Sequence, residues 1–233
     1  MKKPTFYILP VLFLLIISCS KTVKEQALTM KDVFPSQKNT DSTFVFDLDT
    51  VKSFESLTSV FYKNYDNRKI RYYIRTLKND VPFHIKDLLH CGTNVLDMLK
   101  QKNMLFIDYN SDSLFFYNEL KFSFNKNNFQ KILEQQFCNN GKNPEFADSP
   151  DKSLIFLEFI NDFNDSKRDL KNKIDTISVS YFNFLRKFNK KNIDSLKKLY
   201  PLQIRLNEAM EFFDEKGNRV NFIPPPAPLE IVE

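Results

Sequence analysis

Asp47 and Asp49 are the residues whose type and spacing come nearest to a reactive site. They lie one residue apart at the end of the apolar run Phe44-Val45-Phe46 and are followed by Thr50 and Val51. Paired carboxylates at a strand end are candidates for general acid–base work. The same pair also builds a turn or caps a helix. The other candidate ligands are His84, His90 and Cys91. Zinc needs three or four donors at set spacing, and this histidine spacing does not share a helical face as i, i+4 does. Glycine occurs only at Gly92, Gly141 and Gly217, so there is neither a Gly-x-Ser-x-Gly elbow nor a phosphate-cradling loop. The sequence therefore predicts a non-enzyme with no metal and no cofactor, and chemistry at Asp47 and Asp49 ranks behind two binding functions.

Cys19 carries a different chemistry. Lys2 and Lys3 precede the apolar run Phe6 to Ile17, which ends in Ile16-Ile17-Ser18-Cys19. A small residue before a cysteine at the end of such a run is what a lipoprotein signal peptidase requires. Residues 1–18 are then the signal peptide, and Cys19 becomes the acylated first residue of the mature chain. The run is shorter than the ~20 residues of a spanning helix, and Pro4 and Pro10 interrupt its neighbourhood. Three acyl chains on and beside Cys19 exceed the two signals that already anchor a protein stably. The expected location is the cell envelope, on a membrane facing the periplasm. The precursor's net charge of +5 falls to +3 once Lys2 and Lys3 are removed, too little to argue for a nucleic-acid partner.

The elements that must position these residues are set by periodicity. Residues 19–41 are polar and read as a tether. In residues 42–100, Thr43 to Phe46 reads as a short buried strand, Val51 to Tyr62 as a helix and Lys69 to Leu77 as a strand. Ile85, Leu88, Leu89, Val95, Leu96 and Leu99 describe an amphipathic helix. Met104 to Tyr109 and Ser113 to Tyr117, split by Asn110-Ser111-Asp112, make a hairpin. Phe129, Ile132, Leu133 and Phe137 mark a helix face, stopped by a left-handed cap at Asn139-Asn140-Gly141. A strand over Leu154 to Ile160, a long helix from Ser166 and a short one over Ile193 to Leu199 complete the pattern, with Pro201 as a stop. Cys91 and Cys138 either pair or stay as separate thiols. Residues 211–233 form a tail in which Pro224, Pro225 and Pro226 impose an extended conformation, and Ile231 sits in an alternating stretch suited to adding as a strand to a partner sheet.

The most specific string is Asn139-Asn140-Gly141-Lys142-Asn143-Pro144, followed by Asp148-Ser149-Pro150-Asp151-Lys152-Ser153 and an apolar strand. With the hairpin before it, and the helix containing Tyr181, Leu196 and Tyr200-Pro201-Leu202-Gln203-Ile204 after it, the string resembles the periplasmic domain of the ExbD/TolR family of biopolymer-transport proteins. The resemblance spans residues 102–210. It implies an α+β fold, a small β-sheet with helices on one face, to which residues 42–100 add a strand-and-helix portion. It also implies a homodimer and contacts with ExbB-, ExbD- or TonB-like envelope proteins. Asn140, Gly141, Asn143, Pro144, Asp148, Ser149, Pro150 and Lys152 would form the motif surface.

The departures from that family are specific. The apolar run Phe6 to Ile17 has no acidic residue, so the proton-moving part of the family's mechanism is missing. Phe163-Asn164-Asp165 stands where the family pattern has Gly-Thr. Separately, Phe44 to Val51 resembles the first motif of haloacid-dehalogenase-type phosphatases, which implies Asp47 attacking phosphorus and Asp49 passing the proton beside Mg²⁺, but the chain has no Gly-Asp acidic loop to complete the metal site. The first expectation is a lipid-anchored accessory of a TonB–ExbB–ExbD-type energy-transducing transport complex, acting by protein binding. The second is an envelope lipoprotein that binds something unrelated to transport, and the phosphatase is third.

Overall fold

The structure is a computed structural model that describes residues 27–64, 70–76, 79–85, 100–108, 113–116, 121–159, 163–188, 192–208, 212–213 and 219–220. Cys19, the signal segment, His90, Cys91, the helix expected before Lys100, the Asn110-Ser111-Asp112 turn and the tail with Pro224, Pro225, Pro226 and Ile231 lie outside the described residues. Among the described residues no helix is long and apolar enough to cross a membrane.

The described strands are β1 (Thr43–Asp47), β2 (Arg71–Arg75), β3 (Asp80–Ile85), β4 (Met104–Ile107), β5 (Ser113–Phe116), β6 (Lys121–Ser123), β7 (Leu154–Phe159) and β8 (Ile204–Glu208), with β9 (Phe212–Phe213) and β10 (Arg219–Val220) as a separate antiparallel pair. The helices are α1 (Met30–Val33), α2 (Phe54–Lys63), α3 (Lys126–Cys138), α4 (Phe163–Arg186) and α5 (Ile193–Leu199). The fold is α+β. Eight strands make one sheet in the order β1-β2-β3-β8-β7-β4-β5-β6.

The middle of that sheet, β3, β8, β7 and β4, is parallel. β4 to β5 is the expected hairpin, pairing Leu105 with Phe116 and Ile107 with Leu114, and β6 adds a third antiparallel strand that periodicity does not predict. The connections β4 to β7 and β7 to β8 step the same way along the sheet. α3 and α4 therefore fall on one face, as a shared crossover hand requires. There Phe129, Ile132, Leu133 and Phe137 of α3, and Leu170, Ile174, Ile177, Tyr181, Phe184 and Leu185 of α4, close over Leu105, Ile107, Leu114, Ile155, Leu157, Ile204 and Leu206. Successive β7 residues Leu154, Ile155, Phe156 and Leu157 are all buried, so this strand is covered on both faces.

Two expectations are corrected, and one strand is added. Residues 19–41 are not a free tether throughout. Val33 and Phe34 are core residues, and Phe34 lies 6.0 Å from the Tyr181 ring on α4. The Gln37 N–H donates to Asp80 Oδ2, and the Arg75 guanidinium donates to the Gln37 carbonyl. Residues 28–40 thus form a strap fastened to the fold, because Met30, Val33 and Phe34 find their apolar partners far along the chain. Thr43 to Phe46 is a sheet edge on which Phe46 alone is buried, since β2 flanks it on one side only. Finally, Ile204 to Glu208 is strand β8 at the sheet's centre, an element that the sequence pattern does not predict. β8 also pairs with β3, matching His84 with Arg205 and Ile85 with Leu206. Strands from residues 42–100 and 102–210 are therefore neighbours in one sheet.

Candidate functional site

The motif loop is built from the end of α3. Asn125 starts that helix, its side-chain oxygen accepting the Asn128 N–H at 2.9 Å. The helix stops where Asn140 and Gly141 turn left-handed, with φ of 48° and 72°. Asparagine and glycine are the two residues that take that conformation at least cost. The expected cap is therefore where the sequence placed it.

Asn139, just before the cap, organises the loop that leads on to β7. Its side-chain Nδ2 donates to the carbonyls of Asn143 at 2.8 Å, Phe146 at 3.2 Å and Ala147 at 2.8 Å, and its Oδ1 accepts the Asn143 N–H at 2.8 Å. One buried carboxamide thus closes the loop on itself. Gln136, one turn earlier and fully buried, accepts the Ala147 N–H at 2.7 Å and donates to the Lys102 carbonyl at 3.3 Å. These bonds satisfy backbone groups that a buried loop would otherwise leave orphaned.

Charge fixes the far side. Asp148 accepts from both Lys100 and Lys102. Hydrogen bonds from Lys102 and then Lys100 hold its carboxyl below the usual carboxylate range. Ser149 donates its hydroxyl to Asp151, and Pro150–Lys152 form a single 3-10 turn. Gln203 donates to the Asp151 carbonyl at 2.6 Å while its own carbonyl accepts the Ile155 N–H at 2.9 Å, which ties the loop to the entry of β8.

The structure therefore brings the motif residues together but divides their work. Asp148, Ser149 and Pro150 are internal fasteners, and Asn143 is half fastener, its Oδ1 accepting the Glu145 N–H at 2.9 Å. Asn140, Gly141, Lys142, Asn143, Pro144 and Lys152 are exposed. Sequence reasoning does not single out Asn139, Gln136, Lys102 or Gln203 as site residues. Gln136 does leave a signal, since it sits seven residues after Phe129 and three after Leu133, a polar group on the buried stripe.

At the other acidic pair, Asp47 Oδ1 accepts the Asp49 N–H at 3.0 Å and the Asp47 carbonyl accepts from Thr50 and Val51. Asp49 forms an ion pair with Lys171 of α4, whose side chain is almost wholly buried. The pair makes a turn but does not cap α2. That cap is Ser53, whose hydroxyl accepts the Ser56 N–H at 3.2 Å. His84 is in β3 and Cys138 is an exposed free thiol at the end of α3. Among the described residues no group of three or more His, Cys, Asp or Glu is placed to hold a metal ion. Comparison with family models, curated proteins and solved structures finds no match to this chain.

Proposed function

We propose that the chain is a lipid-anchored envelope protein that binds other proteins, with the exposed arc from Asn140 to Pro144 as its recognition surface, in the manner of an ExbD/TolR-like accessory to an energy-transducing transport complex. One observation carries this reading. The arc is held from beneath by Asn139 and Gln136, so its outward side chains are presented on a rigid base. A polar loop that is fixed before contact loses little entropy on binding. The element order around the loop, hairpin, helix, capped loop, strand, long helix, short helix, strand, supports the resemblance to that family. The acyl groups on Cys19 would hold this surface near a membrane where the motor proteins lie.

The test is capture from whole cells. Photo-crosslinkers at Lys142 and Lys152, two exposed positions that join the loop's hydrogen bonds through their backbone N–H groups alone, should trap ExbB-, ExbD- or TonB-like proteins. Trapping only unrelated envelope proteins would favour the second reading, and trapping none would reject the arc as a recognition surface. A Cys19→Ala chain should lose both fatty-acid labelling and the crosslinks.

A further inference from the structure

We propose that Asn140 is a deamidation site of the folded protein, a self-modification that changes the charge of the exposed arc. Asn140-Gly141 is the single Asn-Gly step in the sequence. The Gly141 backbone nitrogen loses its proton to solvent base and attacks Cγ of Asn140. The carboxamide C–N bond breaks, and ammonia leaves with a proton from water. The resulting succinimide then takes up water at either carbonyl, opening to aspartate or to isoaspartate. Water is the one co-reactant, and no electrons change hands.

Three features place the reaction here. Gly141 has no Cβ to crowd the attacking nitrogen, and even an added Cβ would meet nothing nearer than 3.8 Å, so the step is open on its outer side. Both residues are exposed, so water and base reach them. Among the described residues no acceptor takes the Gly141 N–H, and the Asn140 carboxamide makes one bond, a 3.2 Å donation to the Cys138 carbonyl. The neighbouring asparagines are protected. Asn139 is buried with its carboxamide engaged four times, and it precedes a residue bearing a Cβ. Asn143 precedes Pro144, which has no N–H to ionise. The modification thus falls at one point on a loop whose base stays fastened through Asn139 and Gln136. Each product carries one more negative charge beside Lys142, and isoaspartate also lengthens the backbone at the left-handed turn. The effect on partner binding rests on the recognition reading of the arc, whereas the modification does not.

The experiment ages the full-length chain in heavy-oxygen water at neutral and at alkaline pH, then maps peptides by mass spectrometry and probes them with an isoaspartyl methyltransferase. Expected are oxygen incorporation and methyl acceptance at Asn140 alone, faster at the higher pH and absent from Asn140→Gln. An unmodified Asn140 in the folded chain overturns the proposal, most directly if the proteolysed chain reacts under the same conditions. Modification at Asn139 or Asn143 to the same extent also overturns it, since the fold would then exert no selection. Crosslink capture by Asn140→Asp against Asn140→Gln reads the consequence separately: a loss confined to the aspartate variant ties the charge to binding. If wild type captures nothing, the recognition reading fails while the mapped modification stands.

Discussion

Two buried carboxamides do work that is usually spread over many residues. Asn139 supplies donors to three carbonyls and an acceptor to one amide, and Gln136 adds one of each. A buried polar group left without its partner costs about 1–3 kcal/mol. Asn139→Ala should therefore destabilise the chain by about 2–3 kcal/mol, read as a lower urea midpoint with an unchanged m-value. Asn139→Asp should be no better at neutral pH, because a carboxylate has no proton to offer the three carbonyls. A midpoint equal to wild type in both variants would show that the loop closes without this residue.

Asp80 is the second residue whose neighbours set its behaviour. Burial alone would raise its pKa, but hydrogen bonds from Arg75 and from the Gln37 N–H, together with the Arg75 charge, outweigh burial and hold the carboxyl below its ordinary value. A depressed folded pKa contributes stability that is present above the unfolded value and lost as pH falls through the folded one. Asp148, held low by Lys102 and Lys100, acts in the same direction. Stability should accordingly fall as pH drops below about 4, and Asp80→Asn should flatten that acid limb while lowering stability at neutral pH. Melting temperatures of both chains across that range decide it; parallel curves would assign the acid sensitivity elsewhere.

Among the elements, those with a self-contained pattern were legible and those completed by distant partners were not. α3 announces itself through Phe129, Ile132, Leu133 and Phe137, the hairpin through its two apolar runs, and α5 matches Ile193 to Leu199 end to end. β8 shows only Ile204 and Leu206 as inward apolar residues, and nothing local says that β3 and β7 will flank it. The strap is similar. Val33 and Phe34 close a single helical turn, and Tyr181, the ring partner of Phe34, lies far downstream, so no window of sequence contains the interaction. The motif loop is legible as a loop, but its keystone is not, because an asparagine at a helix end normally signals a cap. Because Phe34 is part of the core, Phe34→Ala should cost about 3–5 kcal/mol by chemical denaturation. A cost below ~1 kcal/mol would return residues 28–40 to the role of a tether.

At the scale of the whole molecule, the sheet carries its own test. β8 receives β7 on one side and β3 on the other, and the core beneath joins Tyr72, Ile74, Val81 and Phe83 to Leu206, Ile177 and Tyr181. Tyr181 also donates its hydroxyl to the Tyr200 carbonyl at 2.7 Å, fixing the turn that feeds β8, and burial pushes its phenol pKa up. The segment 102–210 therefore ends in a strand whose second neighbour comes from outside that segment. Cut out alone, it would leave β8 as an open sheet edge with unpaired N–H and C=O groups where β3 now pairs, the geometry that invites aggregation. Expressed as residues 102–210, the fragment should be insoluble or protease-sensitive, while the chain from residue 27 onward should melt in one cooperative transition. Adding residues 27–100 as a separate chain should restore solubility by supplying β3 and the strap. A fragment that melts as sharply as the longer chain would show that β8 needs only β7, and that residues 42–100 are an appendage with a function of their own.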